Sequence, residues 1–245
     1  MLAATIILAS APALGGGTWR PRRDSATRFA KKRAGSISFA ALDQKGHLYG
    51  YRARRQVPAA SVLKVMFMTA YLRHPSVRNR KLNSDDKDLL APMIRWSDND
   101  SATRIANMVG ERRMRHLARV SGMKRFEYTR PWGLSLITAR DQVRFLFRLE
   151  RYIPEQHRGY ARWLLSHIVR AQRWGIPPVV PDGWRVYFKG GWGTGTGRVT
   201  HQVAFLKKKG ERRVTLAIMT EHNPSHEYGT HTIRGVARRL LRGLP

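Results

Sequence analysis

Ser61 and Lys64 stand three positions apart in Val57-Pro58-Ala59-Ala60-Ser61-Val62-Leu63-Lys64, a pairing that can make a nucleophile. Pro58 discourages helix just before the pair, and no Gly or Pro interrupts the run from Ser61 to Leu72. Three helical steps turn about 300°, so the hydroxyl and the amine emerge on neighbouring lines of one face. Val62, Leu63, Met66 and Phe67 can be buried around them. Burial lowers a lysine pKa until the amine can take a hydroxyl proton, and N–H groups at a helix start favour the oxyanion that follows. The spacing alone is common and carries little weight by itself.

Two other stretches hold residues of the right kind. Ser97-Asp98-Asn99 is, taken alone, good N-cap and turn chemistry. Lys189-Gly190-Gly191 reads alone as an edge-strand charge before a bulge.

The elements that must position these residues change character along the chain. Segments 36–41 and 47–52 read as strands around the turn Asp43-Gln44-Lys45-Gly46. Residues 76–175 read as helical. Asn83 or Ser84 caps a helix through Leu89, Leu90 and Ile94 that kinks at Pro92, and a second helix runs from Asp100 to a Gly110 stop. Thr138-Ala139-Arg140-Asp141 begins an amphipathic helix burying Val143, Leu146, Phe147 and Leu149, and Trp163, Leu164, Ile168 and Val169 fall on a further one. Segments 184–189, 200–206 and 213–220 read as strands, and 228–241 as a basic closing helix. This is an α+β order in which the first and last strands share one mostly antiparallel sheet.

The chain of 245 residues is long enough for one large domain or two interlocked lobes. At 42% hydrophobic and 25% charged it is globular rather than disordered. The 46 Lys and Arg against 16 Asp and Glu give a net charge of +30, a field that attracts polyanions, anionic cell-wall polymers among them. The basic residues are spread along the whole chain, which fits a generally cationic surface better than one reading groove. Lack of cysteine excludes disulfides, thiolate zinc sites and a cysteine nucleophile. Residues 1–13 are uncharged, mostly apolar and end in Ala11-Pro12-Ala13, which reads as a short signal peptide, too short to span a bilayer. The expectation is an extracytoplasmic protein, secreted or associated with the cell wall, with no transmembrane span in the mature chain. Residues 14–34 read as a flexible basic linker.

In this order, Ser61-Val62-Leu63-Lys64, Ser97-Asp98-Asn99 and Lys189-Gly190-Gly191 resemble the S-x-x-K, S-D-N and K-T-G set of class A β-lactamases and penicillin-binding proteins. The 32 residues between Lys64 and Ser97 are a spacing typical of that superfamily. The resemblance implies a β-lactamase/transpeptidase-like α+β fold, with a mostly antiparallel sheet flanked by helices. Its catalytic domain would cover 35–245, with 35–60 and 184–245 as the α/β lobe and 61–183 as a helical lobe inserted after the second strand. It implies that Ser61 attacks an acyl carbonyl, that Lys64 is its base, and that Ser97 passes a proton toward the leaving nitrogen. Asn99, Lys189, Gly191 and Trp192 become substrate-binding positions, the backbone N–H groups of Ser61 and Trp192 forming the oxyanion hole. The implied substrate is a β-lactam or an acyl-D-Ala-type cell-wall peptide, with no cofactor and no metal.

Two departures bear on turnover. Gly190 stands where the superfamily has a hydroxyl, and Thr194 or Thr196 is the expected substitute. The glutamate that activates the deacylating water in class A enzymes is also missing, since Tyr128-Thr129-Arg130-Pro131-Trp132-Gly133 leads almost directly to the Thr138 helix and Glu127 is the only nearby acid. Slow deacylation is expected, and the alternative is a catalytically degenerate fold that serves as a wall-binding or sensor protein. Other constellations are weaker. His222, His226 and His231 with Glu221 and Glu227 do not form H-E-x-x-H, because Pro224 interrupts and the last spacing is five. The glycines at 191–197 precede a strand rather than a helix, so they are not a nucleotide fingerprint. Arginines interleaved with tryptophans raise nucleic-acid binding as a rival, set aside because no binding module is present.

Overall fold

The computed structural model describes residues 19–195, 197–208 and 212–245. The expected signal segment, Thr196 and the middle of the turn after Lys208 lie outside the described residues. The strands are β1 (Ser36–Leu42), β2 (Leu48–Tyr51), β3 (Gln56–Pro58), β4 (Leu136–Thr138), β5 (Arg185–Gly193), β6 (Val199–Lys208) and β7 (Arg212–Glu221). The helices are α1 (Arg23–Lys31), α2 (Lys64–Leu72), α3 (Ser84–Ala91), α4 (Asn99–Val120), α5 (Ala139–Phe147), α6 (Leu149–Tyr152), α7 (Glu155–Ser166) and α8 (His226–Leu241). Five strands form one antiparallel sheet in the order β2-β1-β7-β6-β5, and β3 pairs with β4 apart from it. The α+β order read from the sequence is the observed one.

Alternation along the strands assigns the two faces of the sheet. Phe205 pairs with Thr215, whose hydroxyl donates to the Val143 carbonyl of α5. Thr200, on the alternate face, lies against Gly229 of α8, where an added Cβ would come within 2.6 Å of the threonine. Helices on both faces explain why β1, β6 and β7 are buried almost throughout rather than at alternate residues. Every residue of α2 is buried, which its all-round apolar sequence KVMFMTAYL requires.

Four expectations are corrected. The segment expected as a flexible linker includes α1, which buries Ala26 and Ala30 and packs on α8; its Phe29 ring fills the space left open by Gly235. Gly110 takes a left-handed φ of 71° as a helix stop does, yet α4 resumes beyond it because Met114, Leu117 and Ala118 still have a core to enter. Of the four positions expected on a further helix, Trp163 and Leu164 lie on α7, which ends at Ser166, before Ile168 and Val169. The strand expected to stop at Lys189 continues to Gly193, because β6 supplies partners as far as Val199.

His201 ties the sheet to the approach to Ser61. It is fully buried on β6, its Nδ1 accepting from the Thr220 amide (3.1 Å) and its Nε2 donating to the Pro58 carbonyl (3.0 Å). These two bonds fix a neutral tautomer, and burial lowers the imidazole pKa from 6.5 to about 4. Between those values the unfolded chain binds a proton that the native chain refuses, so native stability falls as pH drops through that window. Urea midpoints measured at pH 7 and pH 4.5 should therefore separate more for the wild type than for His201→Gln. An equal separation would remove His201 as the source.

Candidate active site

Ser61 does not begin an α-helix. It lies in a 3₁₀ turn, Ala60–Leu63, whose entry is Ala60 at the left-handed φ of 44°, and α2 starts only at Lys64. The difference tightens the geometry, since residues three apart eclipse one another in a 3₁₀ turn. Ser61 and Lys64 therefore project along one line rather than along neighbouring ones.

Ser97 is delivered by another irregularity. The capping box of Asn83 and Asp86 starts α3, and Pro92 cannot donate the next helical hydrogen bond. The chain widens into a π-helical turn, Pro92–Trp96, and leaves it through Ser97 at φ 61°. Asp98 then caps α4 by accepting from the Ser101 amide (2.7 Å), which sets Asn99 at the first helical position.

These elements meet at two amines. Lys64 Nζ donates to the Ser97 carbonyl (2.6 Å) and to Asn99 Oδ1 (2.7 Å), and lies 3.2 Å from Ser97 Oγ. Lys189 Nζ donates to Ser97 Oγ (2.9 Å) and to the Gly190 carbonyl (2.7 Å). Both lysines are fully buried. Burial lowers the Lys64 pKa to about 7, against the opposing pull of Asp98, and burial beside Lys64 holds Lys189 well below its ordinary value. A neutral Lys64 has two N–H bonds, which its two shortest contacts consume. The lone pair remains for a hydroxyl proton.

Gly191 brings the third motif to Ser61. A Cβ there would lie 2.8 Å from the Ser61 amide nitrogen and 2.7 Å from that of Val62, so only glycine lets β5 approach this closely. Among the described residues the Ser61 amide and hydroxyl have no hydrogen-bond partner. Trp192, paired with Thr200, follows on the same strand, its side chain 37% exposed and turned to the alternate face, beside Trp174 and His226. The structure thus joins Lys64, Ser97, Asn99 and Lys189 in one network and sets Gly191 against Ser61. The Ser61 hydroxyl is adjacent to that network rather than bonded within it.

Three aromatic and imidazole side chains at this site were not foreseen. The ring of Trp174 occupies the space over Gly190, where a Cβ would fall 2.9 Å from it. The ring of Trp132 lies 5.2 Å from Lys64 Nζ and is held by Phe67 and by a bond from its Nε1 to Thr103. His201 pairs with Gly191 across the β5–β6 ladder. Contacts between segments distant in sequence bring these neighbours in. Glu127 is exposed and accepts from Gln56, while Asp98 is committed to the α4 cap.

Residues 79–244 match the family model described as the beta-lactamase enzyme family, more than half of the chain. The chain belongs to that family. The matched stretch takes in Ser97 and Lys189 and begins after Ser61. No curated protein matches the sequence. Among solved structures, the β-lactamase of Sphaerobacter thermophilus superposes with a TM-score of 0.77 at 20% identity, over 91% of this chain and 98% of the other. The class A β-lactamase of Mycobacterium abscessus gives 0.76 at 22%, over 91% and 99%. The chromosome-encoded β-lactamase of Vibrio parahaemolyticus gives 0.77 at 16%, over 91% and 98%. The beta-lactamase family fold thus extends over nine-tenths of the chain. Among the described residues no helix is long and apolar enough to cross a membrane.

The amine titration can be read directly. In the protein with ¹³C-labelled lysine, one Cε resonance should step near pH 7 and be missing from Lys64→Met. A lysine spectrum with every resonance titrating near 10 would refute the depressed amine.

Proposed function

We propose that this protein is a serine acyl hydrolase that forms a covalent acyl-enzyme at Ser61 with a β-lactam or an acyl-D-Ala-type cell-wall peptide. The observation that carries this reading is the buried Lys64 amine, held near neutrality between Ser97 and Asn99 beside the Ser61 turn. With substrate seated along β5, the Ser61 hydroxyl gives its proton to neutral Lys64 as its oxygen bonds to the carbonyl carbon. The backbone N–H groups of Ser61 and Trp192 hold the resulting oxyanion. As the carbon–nitrogen bond breaks, Ser97 donates its proton to the leaving nitrogen, and protonated Lys64 returns one to Ser97. No net proton is gained or lost in the acylation. Asn99 anchors Lys64 and the substrate amide, and Lys189 orders the Ser97 hydroxyl.

Release of the acyl group is proposed to be slow. Trp132 stands beside Lys64 on the loop that would have to supply a base for water, and the nearby acids are engaged elsewhere. The same observation favours a second reading, in which a long-lived adduct serves recognition of wall material rather than turnover. Export of the mature protein and attraction of its cationic surface to anionic wall polymers accompany either reading.

Intact mass recorded against time after mixing with a penicillin tests the proposal. The expected result is a single adduct that persists in the wild type and is missing from Ser61→Ala. Its rate of formation should rise about tenfold per pH unit below 7 and level off above, as the Lys64 amine loses its proton. No adduct and no hydrolysis at any pH would remove the nucleophile assignment, and rapid adduct loss would remove the slow-release part alone.

A further inference from the structure

A second concave site, unrelated to the Ser61 chemistry, lies where β3 and β4 meet the start of α5. Its walls are Arg54, Lys124, Arg125, Thr138, Arg140 and Asp141, around a cavity of about 250 Å³. Three chain segments distant in sequence converge there. None of the four cations forms a salt bridge among the described residues. The one acid present, Asp141, is buried and accepts from the Arg125 amide (3.2 Å), so it faces its own backbone partner.

Gathering like charges in a concavity is unfavourable unless a ligand offsets it. Arg140 shows the conflict most clearly. Its Nε is buried with no acceptor, and burial together with Arg144 and Arg54 lowers its pKa. A buried donor left without a partner is uncommon and costly. Two amides at the start of α5 are already engaged, Arg140 N donating to Ala53 O and Asp141 N to the Thr138 hydroxyl. Side chains would do most of the holding.

We infer that this pocket binds a phosphate-bearing dianion, a phosphate or diphosphate group gripped by the guanidinium groups of Arg54, Arg125 and Arg140 and by the Lys124 ammonium. Guanidinium forks match tetrahedral oxyanions through paired N–H bonds. A net excess of three positive charges on the walls, four cations against Asp141, favours a multiply charged anion over a monocarboxylate. The group arrives either as a free anion or as the terminus of a larger ester.

Calorimetric titration at fixed ionic strength tests this, with inorganic diphosphate as the probe and acetate as the comparison. Saturable binding of one diphosphate is expected, with affinity at least tenfold lower in Arg125→Gln and in Arg140→Gln. Arg112→Gln, an exposed charge on α4, should bind as the wild type does. Equal weakening in Arg112→Gln, or binding without saturation, would overturn the site and leave only the diffuse attraction of a +30 protein. Should Arg140→Gln unfold, Arg125→Gln decides alone, because that side chain is exposed. Tighter binding of a diphosphate ester than of inorganic diphosphate would assign the group to a larger molecule, and equal affinity would assign it to the free anion.

Discussion

The site depends on keeping two amines dry within reach of one hydroxyl. Two ammonium groups sharing Ser97 in a water-poor interior would repel strongly, so the pair cannot carry its full charge near neutral pH. That frustration is what lets one of them accept a proton near pH 7. It also dictates the architecture, because both amines need acceptors that do not themselves demand charge. The Ser97 carbonyl, the Asn99 amide oxygen and the Gly190 carbonyl fill that need. A carboxylate partner would have restored the charge and abolished the base.

Two of those acceptors come from places where regular structure breaks, and the third from a regular strand. Ser97 leaves a π-helical turn in a left-handed conformation, Asn99 sits at a capped helix start, and Gly190 lies on an edge strand whose neighbour lacks a Cβ. The regular elements around them are conventional. Helices cover both faces of an antiparallel sheet, and α2 runs through the middle with every side chain buried. Rigidity in the frame is what allows irregularity at the site.

Much of this was legible in the sequence because it is local. The Ser61–Lys64 spacing, the Ser97-Asp98-Asn99 turn, the Asn83 cap and the Thr138 cap each depend on residues a few positions apart, and each is found where the sequence places it. What stayed hidden depends on register between distant segments. Nothing near His201 announces that it will bond to Pro58, and nothing near Gly190 announces Trp174. The strand read at 184–189 stops short of the glycine run at 191–197, yet the first three residues of that run are strand because β6 pairs with them. The basic segment before β1 reads as a linker because α1 has few apolar residues, and those it has are small except for Phe29, which needs the gap at Gly235.

Two left-handed residues at the site have a bearing on how such a protein drifts. Ala60 and Ser97 both hold positive φ without being glycine, a conformation that costs roughly 1 kcal/mol or more at each. Replacing Ser97 with glycine would relieve that backbone and remove the hydroxyl in one step. Under the proposed mechanism, stability and chemistry therefore pull in opposite directions at this position. A lineage freed from the need for turnover would gain robustness by losing the hydroxyl first, and would keep the shape of an enzyme after ceasing to be one.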